Sequence, residues 1–414
     1  MHSTLSGGNR ATDGARGIAV SSTEIKRPRM GRVLASAYVY QPDGVSEGWT
    51  ASQIVSSLRQ KGWRMTVFSA ALPRMRFTQG LVRIQCKTNA DVPYFSLGNY
   101  LEYSVRTLIA ARRLRRMFDI VHHVSPIVMR VPSFMGLLGR PFIWGPVGGS
   151  IPFPPGFERY GRPSNWVNAL RRLDRPRLLL DPTMRLTMIS ADRIIVTTSA
   201  AAALIPDAYR VKTSIIPEGI PRSAVLAAPP PEEPYIFSSG RLILYKAMDV
   251  IIKAFALMKS TDVKLLITGD GPKRPELLAL IDRLGLKNRV QLLGRVTRTR
   301  NAELMSRSLF CAFPALREAF GHVNLEAMAA WKPVVVTDWG GPRDLVVNGV
   351  TGIKVLGRNP AEHIEMFAAA MDHLVIDSEM RRSMGAAAAQ RILENFTWSV
   401  LGAQYDELYR QVSR

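Results

Sequence analysis

Apolar residues return along the chain in two rhythms: short unbroken runs, and longer stretches in which they recur every third or fourth position. The first run, residues 31–40 (GRVLASAYVY), predicts a strand. A loop with glycines follows at 42–48, and Ile54, Val55 and Leu58 then mark a helix over 52–61 that stops at Gly62. Residues 65–68 predict a second strand and 100–117 a long helix. Strands are predicted over 120–124, 142–147, 193–198 and 213–216, the second of these running into Gly148 and Gly149. Residues 221–234 (PRSAVLAAPPPEEP) carry no period and read as a linker. The alternation then restarts, with strands over 235–238, 263–268, 290–293, 309–313 and 333–337. Helices over 248–258, 275–284, 300–307 and 321–330 lie between them. Strand–helix alternation in two blocks predicts an α/β protein of two βα domains in tandem, each with a parallel sheet.

The chain has 414 residues, 47% of them apolar and 21% charged, enough for two cores in a globular protein. No stretch nears the roughly eighteen apolar residues of a membrane-spanning helix. Residues 1–24 lack the apolar centre of a signal peptide, and 1–28 are expected to be a disordered tail. Cys86 and Cys311 stand far apart, with no metal spacing or disulfide framework, which suggests a reducing, cytoplasmic setting. The formal charge is +22, and it is uneven. Through Ile220 there are 30 Lys and Arg against 13 Asp and Glu; beyond it, 25 against 20. Residues 108–118 (LIAARRLRRMF) and 166–180 (WVNALRRLDRPRLLL) mix arginines with apolar side chains, as basic amphipathic helices do at an anionic membrane surface. Peripheral attachment to the inner face of a cytoplasmic membrane is therefore expected.

The strongest chemical signal is Glu318 and Glu326, separated by Ala-Phe-Gly-His-Val-Asn-Leu and followed by Ala-Met-Ala. The first falls in a turn after a strand, the second inside the next helix. The helix N-terminus near Gly321 suits a diphosphate, and flanking carboxylates suit sugar hydroxyls. Arg241 and Lys246 follow the first strand of the second block, where a planar fork and a point charge again suit a diphosphate. Gly269 and Gly271 (TGDGP) permit a tight turn toward a ligand, and Gly340-Gly341-Pro342 forms another loop at a strand's carboxyl end.

In this order, these segments closely resemble the retaining GT-B glycosyltransferases known as family 4, from about residue 235 to the C-terminus. The resemblance implies two Rossmann-like domains facing across a cleft: an acceptor domain over 29–220, a linker over 221–234, and a nucleotide-sugar domain over 235–395. Residues 396–414 would form a helix crossing back to the first domain. It further implies that Arg241 and Lys246 hold the diphosphate, and that Glu318 contacts the donor sugar. Phe320 and Gly321 would lie against sugar and phosphate, Glu326 would bind ribose, and Arg295 would stand beside the base. In the first half, Gly44 and Gly48 lie where family members carry a glycine-rich loop facing the diphosphate. His123 is the candidate catalytic imidazole, with His122 the alternative, because Val124 occupies the position of the usual histidine. Ala247 stands where Gly usually follows the Lys, and Asp344 where a Glu often closes the Gly-Gly loop. The implied partners are a nucleotide-diphosphate sugar donor (UDP- or GDP-sugar) and a glycan or lipid-linked acceptor in polysaccharide or glycolipid synthesis. No cofactor or catalytic metal is expected.

Two other classes stay open. A catalytically silent partner subunit would account for Ala247 and Val124, and a basic surface-binding or nucleic-acid-binding protein would account for the charge. No zinc spacing, aromatic RNA-binding strand or recognition helix is present, so nucleic acid is not an expected partner. Neither block opens with G-x-G-x-x-G, which argues against a nicotinamide oxidoreductase.

Overall fold

The computed structural model describes residues 31–42, 47–71, 80–86, 96–161, 178 and 180–413. The expected tail, Gly44 and nearly all of the basic segment 166–180 lie outside the described residues. The first sheet comprises β1 (Arg32–Ala37), β2 (Arg64–Ser69), β3 (Leu81–Arg83), β4 (Ile120–Ser125), β5 (Phe142–Val147), β6 (Arg193–Val196) and β7 (Thr213–Ile215), in the order β3-β2-β1-β4-β5-β6-β7. The second comprises β8 (Tyr235–Ser239), β9 (Lys264–Thr268), β10 (Val290–Gly294), β11 (Phe310–Phe313), β12 (Val334–Thr337) and β13 (Gly352–Val355), in the order β10-β9-β8-β11-β12-β13. The strand pairs are parallel. Every residue of β4, β5, β11 and β12 is buried, as strands covered on both faces must be.

The α-helices among the described residues of the first half are α1 (Glu47–Gln60), α2 (Leu97–Leu114), α3 (Pro182–Ser190) and α4 (Ser199–Ala202). Those of the second are α5 (Met248–Leu257), α6 (Arg274–Arg283), α7 (Arg298–Arg307), α8 (His322–Ala329), α9 (Gly341–Leu345), α10 (Pro360–Ile376) and α11 (Ser378–Asn395), with α12 (Trp398–Val412) closing the chain. The expected loop over 42–48 already contains the first two residues of α1, which starts five residues before the expected helix. The Ser96 hydroxyl starts α2 by accepting the Asn99 N–H at 3.2 Å, three residues before the expected start. β3, three residues at a sheet edge, and β13, which opens on a glycine, carry too little apolar pattern to be predicted.

The two halves are joined twice, and the crossings are stitched together. The Ile220 N–H donates to Phe396 O at 2.9 Å, and the Trp398 N–H donates to Ile220 O at 3.0 Å. Beyond this point α12 lies on the first half, as expected: Trp63 Nε1 donates to Asp406 at 2.7 Å, and Tyr409 reaches β4. Residues 221–234, predicted as a linker, are strapped to the second half. The Leu226 and Glu233 N–H groups donate to Ala329 O and Arg307 O, and Glu232 pairs with Arg381 at 2.8 Å. Conversely Phe157 and Tyr160, in the stretch assigned to the first domain, pack into the core of the second.

Candidate functional site

β8 and β11 are neighbours although they are not consecutive, so the second sheet reverses its winding between them. Loops leaving the carboxyl ends of such a pair diverge and open a crevice. Arg241 and Lys246 come from the loop after β8, and Glu318 from the loop after β11. The β8 loop is tied to the β9 turn: the Leu242 N–H donates to Asp270 O and the Lys273 N–H to Leu242 O, both at 2.9 Å. A Cβ on Gly269, whose φ is +117°, would lie 1.9 Å from Gly240 O. Gly269 and Gly271 thus allow two backbones to lie together, which sets the loop that carries Arg241 and Lys246.

Lys246 ends a single 3₁₀ turn, Leu244–Lys246, and Ala247 follows with φ 51° and ψ 38°. Ala247 thus holds the left-handed conformation that the glycine of the family pattern would adopt freely, so the departure leaves the turn intact at a strain of about 1 kcal/mol. Lys246 forms an ion pair with Glu318, and both side chains are largely buried, at 16% and 18% exposure. Arg241 is exposed and donates to the Tyr245 hydroxyl at 2.9 Å.

The β11 loop is fixed from below, where Glu318 O accepts the Gly341 N–H at 3.0 Å; this is the role of the Gly-Gly loop. Gly321 precedes α8 with φ +98°, and a Cβ there would meet Asn324 Nδ2 at 2.5 Å and Glu318 Cγ at 3.2 Å. The N-terminus of α8 therefore stands bare beside the Lys246–Glu318 pair, with the partial positive charge of its first N–H groups. Phe320 is buried against Phe396. Asn324, 1% exposed, presents an Oδ1 without a hydrogen-bond partner and lines the same hollow as Ser239, Lys246 and Glu318. A buried acceptor left open in this way suits a ligand hydroxyl. Glu326 lies farther along α8. Burial raises its carboxyl above the usual range, and the charges of His322 and Arg298 work against that rise. Arg295 is exposed just past β10.

The first half meets this site differently. His122 is buried, with Nδ1 against the Tyr409 hydroxyl and Nε2 against Gly145 O, both at 2.5 Å; burial pulls it down to about 3. His123 is also buried, 3.4 Å from Pro126 O and edge-on to Tyr100, and burial pulls it down to about 4. Both are neutral imidazoles, and these partners of His123 belong to the first half. Gly48 sits in the first turn of α1, where its carbonyl accepts the Gln41 N–H at 3.0 Å. Asp344 binds across the halves, accepting from the N–H and hydroxyl of Ser199 at 2.6 Å each. Trp339 Nε1 donates to Pro152 O at 2.7 Å.

Three groups at the site escape motif reading. Asn324 is one, its only sequence signal being a polar residue on the apolar face of α8. The others are Glu218 and Glu47. Glu218 bonds His322 Nε2 at 2.5 Å. Glu47 accepts the Ile127 N–H at 3.3 Å; burial pushes its carboxyl up to about 7, a rise opposed by that bond and helped by Glu218.

The "Glycosyl transferases group 1" family pattern matches residues 226–391, and the "Glycosyl transferase 4-like domain" pattern matches 47–219. Alpha-D-kanosaminyltransferase of Streptomyces kanamyceticus is 31% identical over 183 residues, 44% of this chain and 46% of that protein. The chain thus matches about half the length of such curated relatives. The fold is shared with sucrose-phosphate synthase from Thermosynechococcus elongatus, at TM-score 0.67 and 20% identity over 93% of this chain and 99% of that one. It is shared too with HepE of Anabaena, crystallised with UDP and glucose, at TM-score 0.63 and 18% identity over 92% and 100%. Two parallel sheets of this topology, with family patterns covering both, make the chain a member of the group 1 glycosyltransferases with the GT-B fold.

Proposed function

We propose that the chain is a retaining glycosyltransferase that moves a sugar from a nucleoside-diphosphate donor to a hydroxyl of a glycan or lipid-linked acceptor. The observation that carries this is the largely buried Lys246–Glu318 pair beside the bare N-terminus of α8, at the point where the second sheet reverses. As the glycosidic bond breaks, negative charge gathers on the departing diphosphate. Lys246, Arg241 and the α8 N-terminus are set before the reaction to receive it. Glu318 and Asn324 Oδ1 accept hydroxyls of the donor sugar, and Glu326 accepts those of the ribose. The positive charge comes from side chains and backbone, so turnover is expected to survive EDTA. Retention follows front-face attack, in which the leaving phosphate takes the acceptor's proton and the acceptor oxygen enters from the same side.

The acceptor side is the basic half. α2 and the 3₁₀ turn Arg115–Met117 that follows it turn Val105, Ile109, Leu114 and Met117 outward, 37–56% exposed, with Arg112, Arg113, Arg115 and Arg116 exposed among them. Phe118, which the sequence grouped with them, is buried. Such a face suits an anionic membrane, and no described helix is long and apolar enough to cross one. HepE was crystallised with UDP and glucose, which makes UDP-sugars the first donors to try. The test is release of nucleoside diphosphate from a panel of UDP- and GDP-sugars with lipid-linked and glycan acceptors. NMR of the product would read its anomeric configuration, and an inverted product would overturn the retaining mechanism.

A further inference from the structure

His322 is the first residue of α8, and its side chain leaves the helix toward the crossing between the halves. Its Nε2 meets Glu218 Oε2 at 2.5 Å. Glu218 lies between β7 and Ile220, whose backbone is stitched to Phe396 and Trp398. The imidazole also packs near Trp49 of α1, with ring centres 6.0 Å apart, and Phe320, at 6.5 Å. On a helix, residues four apart share a face, which puts His322 beside Glu326.

We propose that Glu218 is a positioning residue for the donor: it holds His322 as an imidazolium that anchors the start of α8 and keeps Glu326 ionised to accept ribose hydroxyls. This rests on the donor site proposed above and deepens it.

Burial works against the charged imidazole, but Glu218, Glu326 and Glu318 outweigh it, so the ring titrates above its usual range. Around the cluster, Glu218 faces it from the crossing, Glu318 from the β11 loop and Glu326 from α8 itself. Arg298 of α7 acts on Glu326, and Glu218 in turn acts on Glu47 of α1. Three carboxylates thus face one imidazole, and removing Glu218 takes away the one that hydrogen-bonds it directly. The ring then loses its proton at a lower pH, and Glu326, half-buried, loses the positive charge that favours its ionised form.

The experiment measures the affinity of UDP and GDP for the wild-type chain, Glu218→Gln, Glu218→Asp, His322→Gln and Glu326→Ala from pH 5 to pH 8.5. Each variant is expressed as a ratio to wild type at the same pH, which cancels the ligand's own titration. Glu218→Gln is expected to bind roughly tenfold more weakly at pH 8 and to approach wild type toward pH 5, where the imidazole is protonated in both. Glu218→Asp, which keeps the carboxylate, should recover part of the loss at pH 8, and His322→Gln should show a flat ratio. If Glu218→Gln binds like wild type, or is weakened equally at every pH, the inference is overturned while the donor site stands. If wild type binds neither nucleotide, or Glu326→Ala binds as well as wild type, the donor site itself falls and takes this inference with it.

Discussion

The two halves share one plan, a parallel sheet that reverses between a central pair of strands, but they finish those strands with opposite chemistry. The second half ends β8 and β11 in charge: Lys246 against Glu318, with the bare start of α8 and Glu326 close behind. The first half ends β4 in neutrality, with His122 and His123 both pulled far below neutral pH by burial and Glu47 held near 7. Of its basic residues, Arg112, Arg113, Arg115 and Arg116 stand exposed together at the end of α2. One topology thus serves two tasks. In the reaction proposed above, the charged side receives an anion that gains charge as its bond breaks, and the neutral side is assigned to the acceptor alcohol.

The sharpest way to break this contrast is to remove the charge from the second half. Lys246→Ala should lower kcat/KM for donor turnover by about 100- to 1000-fold, the scale of losing one preset donor to a developing anion. A loss under tenfold would mean that Lys246 only balances Glu318.

The neutral half is tested through stability. The folded Glu47 carboxyl titrates near 7, above its ordinary value of 4.5. The folded state therefore holds that proton more tightly than the unfolded chain, and stability falls as pH rises from about 4.5 to about 7. Glu47→Gln, whose amide oxygen still accepts the Ile127 N–H, should be more stable than wild type at pH 8 by up to about 3 kcal/mol, with the gap closing toward pH 4. Denaturant midpoints at the two pH values read this, and a gap that does not change with pH would contradict it.

The smallest effect concerns the turn after Lys246. Ala247→Gly relieves a left-handed backbone at a buried position and should stabilise the protein by about 0.5–1 kcal/mol. Destabilisation would show that the methyl group packs better than the strain costs.

Much of this was legible in the sequence because parallel strands are short apolar runs and the donor-side residues sit at fixed offsets from them. β8, β9, β11 and β12 were found within a residue or two, and the loops carrying Arg241, Lys246 and Glu318 were placed after the correct strands. The glycines were found for a different reason from the one the structure gives. Gly269 and Gly271 read as turns toward a ligand, yet their bare Cα atoms face the backbone of residues 240–242. What stayed hidden depends on distant chain segments. Glu218 meets His322 across 104 residues, and the Tyr160 hydroxyl donates to Asp249 across 89. Neither leaves a local period or motif. Asn324 was hidden for the opposite reason, sitting in plain view inside the motif, where only its unpaired Oδ1 in the hollow beside Lys246 and Glu318 marks it out.

The central claim is that the charged half holds a nucleoside diphosphate. Its most direct test is thermal unfolding of the chain with UDP, GDP, ADP and NAD, alongside Glu326→Ala. A ligand at 100 times its dissociation constant adds about 2.7 kcal/mol to native stability. The account predicts such a shift with one of the diphosphates and its loss in Glu326→Ala. No shift with any diphosphate, or a shift with NAD alone, would contradict it.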